Sequence, residues 1–159
     1  MRVGQGFDSH RLVEGRPLVL AGERIPHSRG LEGHSDGDVV LHAVADAILG
    51  ALGEGDLGRH FPSSDPGLKG MDSRQLLARV VDLMAERGGA LANLDCTLIA
   101  EAPRLAGHQA VMEKNLADLL SVPTGRVNLK LKSADGMGAL GREEGMAALA
   151  VVLVEGVES

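Results

Sequence analysis

The last apolar stretch of the chain, residues 145–155 (GMAALAVVLVE), constrains the fold more than any other segment. Its Val-Val-Leu-Val core and its glycine at the start favour a strand over a helix, and a strand that is apolar throughout is predicted to be buried on both faces. A sheet built around such a strand needs helices on one face, and an apolar second face needs a partner. We therefore expect a layered α/β fold that forms an oligomer.

The remaining pattern supplies the neighbours of this strand. Strands are predicted at residues 2–12, 91–100 and 127–133, with another extended piece at 17–25. Helices are predicted near 38–53, 73–88 and 106–121, and the second of these is expected to start at Asp72 and to end at Gly88. The order β-β-α-α-β-α-β-β predicts an α/β (α+β) fold with one mixed sheet and helices on one face. No linker divides the chain, so residues 1–159 are expected to form a single domain.

Charge and aromatic content exclude nucleic acid as a partner. The chain carries 22 acidic and 16 basic residues, a formal charge of −6, whereas phosphate-backbone binding needs a stripe of Lys and Arg. Phe7 and Phe61 are the only residues of the Phe, Tyr and Trp types, so no platform for base stacking exists.

Membrane and secretory roles are also not expected. No stretch approaches the ~20 apolar residues of a membrane-spanning helix, and the N-terminus lacks the apolar region of a secretory signal. The single cysteine, Cys96, lies in an apolar run and is predicted to be a buried, inert thiol. We expect a cytoplasmic protein.

Two segments together predict a metal site. Asp8 and His10 are two residues apart on a predicted strand, so their side chains project from the same face about 6–7 Å apart. Asp38, His42 and Asp46 recur every four residues along one helix face. If that helix packs on the strand, then Asp8, His10 and His42 form a three-ligand zinc site with a fourth position open for chemistry. Asp38 or Asp46 is then expected to accept the other ring N–H of His42. Spacing alone also allows a purely structural role for these residues.

The loop before this helix predicts an anion site. Ser35 and Asp38 fit a capping box, which makes Ser35 the expected N-cap, and a helix N-terminus attracts anions. His34 and Ser35 would add a ring N–H and a hydroxyl there, which suits a phosphate. Helix capping alone is the other interpretation of the same residues.

A second polar cluster follows the strand at 127–133. Lys130, Lys132 and Ser133 lie beside Asp135, so cationic and hydroxyl donors adjoin a carboxylate. Such a set could hold a diphosphate through Mg²⁺, which takes one or two carboxylates together with phosphate oxygens. A solvated strand end followed by a turn explains the same residues.

Taken together, six stretches resemble the 2-C-methyl-D-erythritol 2,4-cyclodiphosphate synthase family, in its order and spacing. They are GFDSHRL at 6–12, HSDGDVVLHAVADAILGA at 34–51, GDLGRHFPSSDP at 55–66, DSRQLL at 72–77, AEAPRL at 100–105 and GREEG at 141–145. The resemblance implies a mixed four-stranded sheet and a cyclic homotrimer with three active sites at the subunit interfaces. It also implies a CMP-releasing lyase of the non-mevalonate isoprenoid pathway, which converts 4-diphosphocytidyl-2-C-methyl-D-erythritol 2-phosphate into the cyclic diphosphate.

The same resemblance implies roles for individual residues. Asp8, His10 and His42 would bind one zinc ion per subunit, and Asp135 a magnesium or manganese ion. His34 and Ser133 would be the catalytic residues that stabilise the transition state, and Ser35 would contact phosphate. The methylerythritol pocket would comprise Asp56, Leu57, Gly58, Phe61, Pro62, Ser63, Ser64 and Asp65. A neighbouring subunit would bind cytidine with Ala100, Glu101, Ala102, Pro103, Arg104, Leu105 and Ala106. Further substrate contacts would come from Lys132, Ala134, Ala139 and Arg142.

Several positions depart from the commoner pattern of the family. The magnesium ligand is often Glu, which is one methylene longer than Asp135. Lys132 stands where Thr is frequent, and Ser63 stands where some members carry an acid. Arg142 and Glu144 resemble residues near the trimer axis, where some members bind an isoprenyl diphosphate.

The implied reaction depends on positioning rather than on a strong base. Its nucleophile is the substrate's own 2-phosphate, which is ionised at pH 7, so the protein must hold two anions together and neutralise charge. Two other functions remain open at this point. One is a metal-dependent phosphohydrolase in which water replaces the 2-phosphate, and the other is a non-enzymatic zinc trimer that binds isoprenyl diphosphates.

Overall fold

The structure, a computed structural model, describes residues 1–157, so the last two residues of the predicted 1–159 domain lie outside the described residues. Its strands are β1 (Arg2–Glu14), β2 (Leu18–Leu20), β3 (Glu23–Ile25), β4 (Arg29–Leu31), β5 (Ala90–Ile99), β6 (Val127–Lys132) and β7 (Gly145–Glu155). Its α-helices are α1 (Val39–Leu52), α2 (Leu57–His60), α3 (Ser73–Glu86), α4 (Gln109–Leu119) and α5 (Gly138–Gly141).

The apolar strand β7 lies at the centre of a mixed sheet whose order is β4-β1-β7-β5-β6. β5 and β6 run parallel, while the other neighbours are antiparallel. The expected sheet had four strands, and the observed one has five. The additional strand, β4, pairs only with the end of β1, from Leu12 opposite Leu31 to Glu14 opposite Arg29. A three-residue edge strand leaves no periodic pattern in the sequence, which is why it escaped prediction.

One face of the sheet is covered by helices, as predicted. α1 packs against β1 and β7, α3 packs on α1, and α4 packs beside β6. The β7 side chains that point towards α1, among them Ala148, Ala150 and Val152, are fully buried.

The opposite face of the sheet is apolar and exposed in the single chain. Val3 is 68% exposed, Phe7 54% and Val151 44%, and Leu149 and Leu153 are half-buried between them. We call these five residues the open face. The expectation that β7 is buried on both faces is therefore wrong for the chain alone, because the helices cover only one side.

Two glycines bring α1 unusually close to β1. A Cβ atom on Gly4 would lie 1.8 Å from the carbonyl oxygen of Ala47, and one on Gly6 would lie 2.0 Å from that of Ala43. No side chain other than hydrogen fits between this strand and this helix. The helix that carries His42 therefore lies directly against the strand that carries Asp8 and His10.

The N-terminus of α1 differs from the predicted capping box. Asp38, not Ser35, is the N-cap, and its buried carboxylate accepts hydrogen bonds from the N–H groups of Val40 and Leu41. The same carboxylate accepts from Ala21 at 3.0 Å and from Gly22 at 2.7 Å. These additional bonds to a distant loop favour Asp38 as the cap, and a local motif cannot reveal them.

Two smaller predictions are confirmed. Asp72 is the N-cap of α3 and accepts from the N–H of Arg74 at 2.9 Å. Cys96 is fully buried, and its burial raises the pKa of the thiol to about 12.

Within residues 1–157, none of the helices has the length and apolar character needed to span a membrane.

Candidate metal centre

Three side chains from β1 and α1 meet at one point. Oδ2 of Asp8 lies 2.7 Å from Nε2 of His10 and 2.9 Å from Nδ1 of His42. The two ring nitrogens are 3.1 Å apart, although the residues are separated by 32 positions in the chain. These three atoms form the cluster of metal-ligand type that the sequence predicts.

The charges of the cluster stabilise one another. Burial alone raises the pKa of Asp8, but hydrogen bonds and charge from His10 and His42 bring that pKa well below its ordinary value. Burial alone lowers the pKa of His10, yet its hydrogen bond to Asp8 and the negative charge raise it above the ordinary value. The carboxylate is thus ionised at neutral pH and serves as an anionic ligand beside two imidazoles.

His10 is held in one orientation by the backbone. Its Nδ1 lies 2.6 Å from the carbonyl oxygen of Glu32. A carbonyl oxygen only accepts, so Nδ1–H is the donor, and Nε2 is the ring nitrogen that faces Asp8 and His42. A partner behind the ring that fixes the tautomer is typical of histidines that bind metal.

His42 is oriented by serines rather than by the predicted carboxylates. Its Nε2 lies 2.9 Å from Oγ of Ser73 and 3.1 Å from Oγ of Ser35. The prediction that Asp38 or Asp46 accepts this N–H is wrong. Asp38 caps α1, and Asp46 accepts from the N–H of Leu57 at 2.7 Å. The four-residue spacing placed Asp46 on α1 and Asp38 at its start, but it could not show which other segments bind them.

Ser73 is a polar residue of this site that the sequence does not predict. It is fully buried at the start of α3, 31 positions from His42. Its only local signal is its place beside the N-cap Asp72, and no sequence pattern links that position to a histidine on another helix.

A cavity of about 460 Å³ opens beside the three ligands. Among the predicted substrate and catalytic residues, those that line it are His34, Ser35, Asp56, Leu57, Gly58, Phe61 and Ser63. Asp46, Leu68, Met71 and Leu76 complete the wall. The predicted residues Pro62, Ser64 and Asp65 do not line this cavity. Asp65 contacts it through His34, whose Nε2 donates to the Asp65 carbonyl oxygen at 3.3 Å.

A second, separate cavity of about 290 Å³ lies at the ends of β5 and β6. The predicted residues that line it are Ala100, Glu101, Pro103, Arg104, Leu105, Ala106, Lys132 and Ser133. The predicted residues Ala102 and Ala134 do not line this cavity. The N–H of Ala134 donates to the carboxylate of Glu101, which does line it, at 3.0 Å. The chain thus divides the predicted catalytic pair, with His34 in the first cavity and Ser133 in the second.

The remaining predicted residues lie on the polar loop after β6. Asp135 is in a left-handed conformation with φ of 54°, and its N–H donates to the hydroxyl of Ser133 at 3.3 Å. Ala139 lines a small third cavity beside His10. Arg142 is exposed and pairs with Glu144 at 2.7 Å. No second carboxylate joins Asp135 in a ligand cluster among residues 1–157.

The fold and the site define a class of protein: an α/β chain in which two histidines and one carboxylate form a candidate metal centre that opens into a cavity. Two neutral nitrogens and one anionic oxygen are the ligands that zinc prefers in sites with an open position. The comparisons with known proteins narrow this class to one family. The YgbB family model matches residues 1–155, and the chain belongs to this family.

Relatives and solved structures agree with this assignment. The chain is 54% identical over 154 residues to the 2-C-methyl-D-erythritol 2,4-cyclodiphosphate synthase of Geobacillus sp. (strain WCH70), covering 97% of this chain and 98% of the relative. It is similar to a CDP-bound structure of 2C-methyl-D-erythritol-2,4-cyclodiphosphate synthase, with 40% identity, a TM-score of 0.90, and coverage of 97% and 100%. It also matches the bifunctional IspDF from Campylobacter jejuni at 41% identity and a TM-score of 0.92, covering 96% of this chain and 42% of that one.

Proposed function

We propose that this protein catalyses the reaction of the synthases it resembles, in the non-mevalonate isoprenoid pathway. 4-Diphosphocytidyl-2-C-methyl-D-erythritol 2-phosphate would be converted into 2-C-methyl-D-erythritol 2,4-cyclodiphosphate and CMP, in the cytoplasm. One observation carries the proposal: the metal-ligand atoms of Asp8, His10 and His42 converge at the wall of a cavity that His34 and Ser35 also line.

The ligand cluster suits zinc. Two ring nitrogens and one carboxylate oxygen converge on a shared point, and His42 is buried while the cavity keeps one side open. Zinc bound there would supply a Lewis acid that stabilises negative charge on a phosphate oxygen.

The residues around the cluster can bind and orient a phosphate. His34 and Ser35 contribute a ring and a hydroxyl to the cavity that contains the ligands. The hydrogen bond from Nε2 of His34 to the carbonyl of Asp65 ties the ring to the loop at 61–65. Donors fixed in place before the reaction stabilise developing charge without reorganising, which is the main catalytic requirement for phosphoryl transfer.

The reaction needs no strong general base in the protein. An oxygen of the 2-phosphate would attack the β-phosphorus, and the bond from that phosphorus to the oxygen bridging to the α-phosphate would break. CMP would leave with the electron pair of that bond. This balance makes the enzyme a phosphorus–oxygen lyase, in which the protein's task is to hold the two phosphates in line.

We further propose that each active site is completed by a second subunit. The cytidine side, with Ala100 to Ala106, Lys132 and Ser133, lies in its own cavity in the single chain. The exposed apolar open face supplies a surface for association, because large apolar patches on a monomer mark contacts with other chains. A cyclic homotrimer would place the second cavity of one subunit beside the metal centre of the next.

Asp135 is proposed as the residue that would hold a magnesium or manganese ion, which would neutralise charge on the diphosphate of the substrate. The residue is exposed beside Ser133, at the edge of the proposed cytidine side. One carboxylate suffices for this role, since Mg²⁺ keeps most of its waters and takes phosphate oxygens as further ligands.

A turnover assay with product masses tests the proposal. The purified protein would be incubated with Mg²⁺ and the diphosphocytidyl methylerythritol phosphate, and the products separated by mass. CMP together with the cyclic diphosphate is the expected result. An open-chain product would instead indicate a phosphohydrolase, and a zinc-loaded protein without turnover would indicate a binding protein for isoprenyl diphosphates.

A further inference from the structure

A chain of two hydrogen bonds runs from the ring of His42 to a carboxylate on another segment. Nε2 of His42 lies 2.9 Å from Oγ of Ser73, and the Ser73 hydroxyl is bonded to Oδ1 of Asp36. Ser73 is fully buried. We propose that Ser73 and Asp36 are positioning residues for the metal centre, which orient His42 and increase its basicity as a ligand. This inference rests on the proposed metal site.

The direction of the two bonds follows from their end groups. An ionised carboxylate has no proton to give, so the Ser73 hydroxyl donates to Asp36. The serine oxygen then accepts from Nε2–H of His42. With Nε2 facing the serine, Nδ1 is the nitrogen left to bind a metal, and it lies 2.9 Å from Oδ2 of Asp8. We call the hydrogen-bonded series His42, Ser73 and Asp36 the relay. The relay fixes His42 in the tautomer that can bind a metal through Nδ1, as the Glu32 carbonyl fixes the opposite tautomer of His10.

Asp36 is itself held firmly. Its Oδ2 accepts from the backbone N–H of Ser73 at 3.0 Å, and its Oδ1 accepts from the N–H of Asp38 at 3.1 Å. Its own N–H donates to the carbonyl oxygen of Met71 at 3.1 Å. The first N–H groups of a helix have no partner within the helix, so Asp36 binds the start of α3 as well as the serine hydroxyl. The relay thus joins the loop before α1 to the start of α3, and His42 rests on that junction.

Ser35 is the competing partner of His42. Its Oγ lies 3.1 Å from Nε2, but it also accepts from the N–H of Gly37 at 3.2 Å and lines the cavity where a phosphate is proposed to bind. Ser73 is closer to Nε2, lies behind the ring and leads to a carboxylate. A carboxylate behind a metal-bound histidine, whether direct or through a hydroxyl, raises the electron density of the ligand nitrogen.

The test is zinc affinity, measured by competition with a chromogenic chelator, together with the visible spectrum of the cobalt(II)-substituted protein. Ser73→Ala removes the hydroxyl and retains the backbone N–H that binds Asp36. We expect it to weaken zinc binding by roughly tenfold or more and to shift the cobalt bands. The exposed Ser28→Ala is the matched control and is expected to keep zinc affinity within about threefold, less than the loss expected when a partner of a metal ligand is removed. Ser35→Ala is the comparison variant and is expected to weaken zinc binding less than Ser73→Ala, because Ser35 lies farther from Nε2 and also binds the N–H of Gly37.

A second variant keeps the test informative if Ser73→Ala does not fold. Asp36→Asn removes the charge at nearly constant size and is expected to weaken zinc binding in the same direction. Thermal unfolding of each zinc-free variant checks that it is folded.

The outcomes separate the relay from the metal site itself. A wild-type protein that binds no zinc overturns both proposals. A wild-type protein with one zinc per subunit, together with wild-type affinity and cobalt bands in Ser73→Ala and Asp36→Asn, overturns the relay alone. Loss of affinity in Ser35→Ala but not in Ser73→Ala also overturns it, because Ser35 would then be the partner of His42.

Discussion

Gly6 of β1 lies so close to Ala43 of α1 that a Cβ atom on Gly6 would be 2.0 Å from the Ala43 carbonyl oxygen. Asp8 follows Gly6 by two residues on the strand, and His42 directly precedes Ala43 on the helix. The contact between strand and helix backbones therefore sets the distance between the proposed metal ligands. Gly6 thus supports the candidate metal site, although it binds nothing itself.

Gly6→Ala should damage both the fold and the metal centre. The new methyl group must push α1 away from β1, and overpacking of this kind costs about 1–3 kcal/mol of unfolding free energy. Zinc affinity should fall as well, because His42 moves with the helix. Gly125→Ala is the control, since its Cβ would meet nothing within 4 Å. Denaturant unfolding and a chelator titration measure the two effects, and an unchanged zinc affinity in Gly6→Ala would contradict this view of the site.

His42→Ala should abolish stoichiometric zinc binding. It removes one of three ligands and leaves Asp8 and His10, which are too few to hold the ion tightly. His108→Ala is the control, because His108 precedes α4 and lies outside the cluster. Metal analysis after dialysis measures the number of zinc ions that remain bound per subunit. A zinc content equal to that of the wild type would show that the metal binds elsewhere.

Val151→Glu should dissociate the proposed trimer. Val151 lies on the open face, is 44% exposed, and is paired with Asp95 on the neighbouring strand, so a glutamate adds charge to an apolar surface beside another acid. Val111→Glu is a matched control, since Val111 is also 44% exposed but belongs to α4. Sedimentation velocity should show monomers for the first variant and trimers for the second. A trimeric Val151→Glu would place the interface on another surface.

Two impaired variants should restore each other's activity if the site is shared between subunits. His42→Ala disables the metal side and Ser133→Ala weakens the cytidine side, and these lie in separate cavities of one chain. Mixed trimers would contain some interfaces with both intact sides. Co-refolding the two variants and assaying CMP release should therefore recover turnover above the sum of the separate variants. No recovery from verified mixed trimers would mean that one chain supplies the whole site.

The sequence predicts the parts of the fold that repeat over many residues. β7 and α1 are long enough for their apolar patterns to identify them. The two-residue spacing of Asp8 and His10 places both side chains on the same face of β1. β4 could not be predicted, because it has three residues and depends on pairing with the distant end of β1. The strand–helix contact that joins Asp8 and His10 to His42 does not follow from the sequence alone, since it depends on how the helix packs on the strand.

Tertiary contacts also decide which polar groups meet around His42. Asp38 and Asp46 lie four residues on either side of His42, yet their carboxylates accept from the N–H groups of Ala21 and Leu57 instead. Ser73 comes from another helix and carries no motif of a metal site. Buried polar groups take the partners that the whole fold provides, and these partners are not encoded at fixed spacing.

The central claim is that the cluster of Asp8, His10 and His42 is the metal centre of the cyclising reaction. The most direct measurement is the yield of cyclic diphosphate after removal of zinc by a chelator and after its return, in the wild type and in His42→Ala. The account predicts that turnover is lost on chelation, returns with about one zinc per subunit in the wild type, and does not return in the variant. Full turnover by zinc-free protein, or recovery of His42→Ala by stoichiometric zinc, would contradict it.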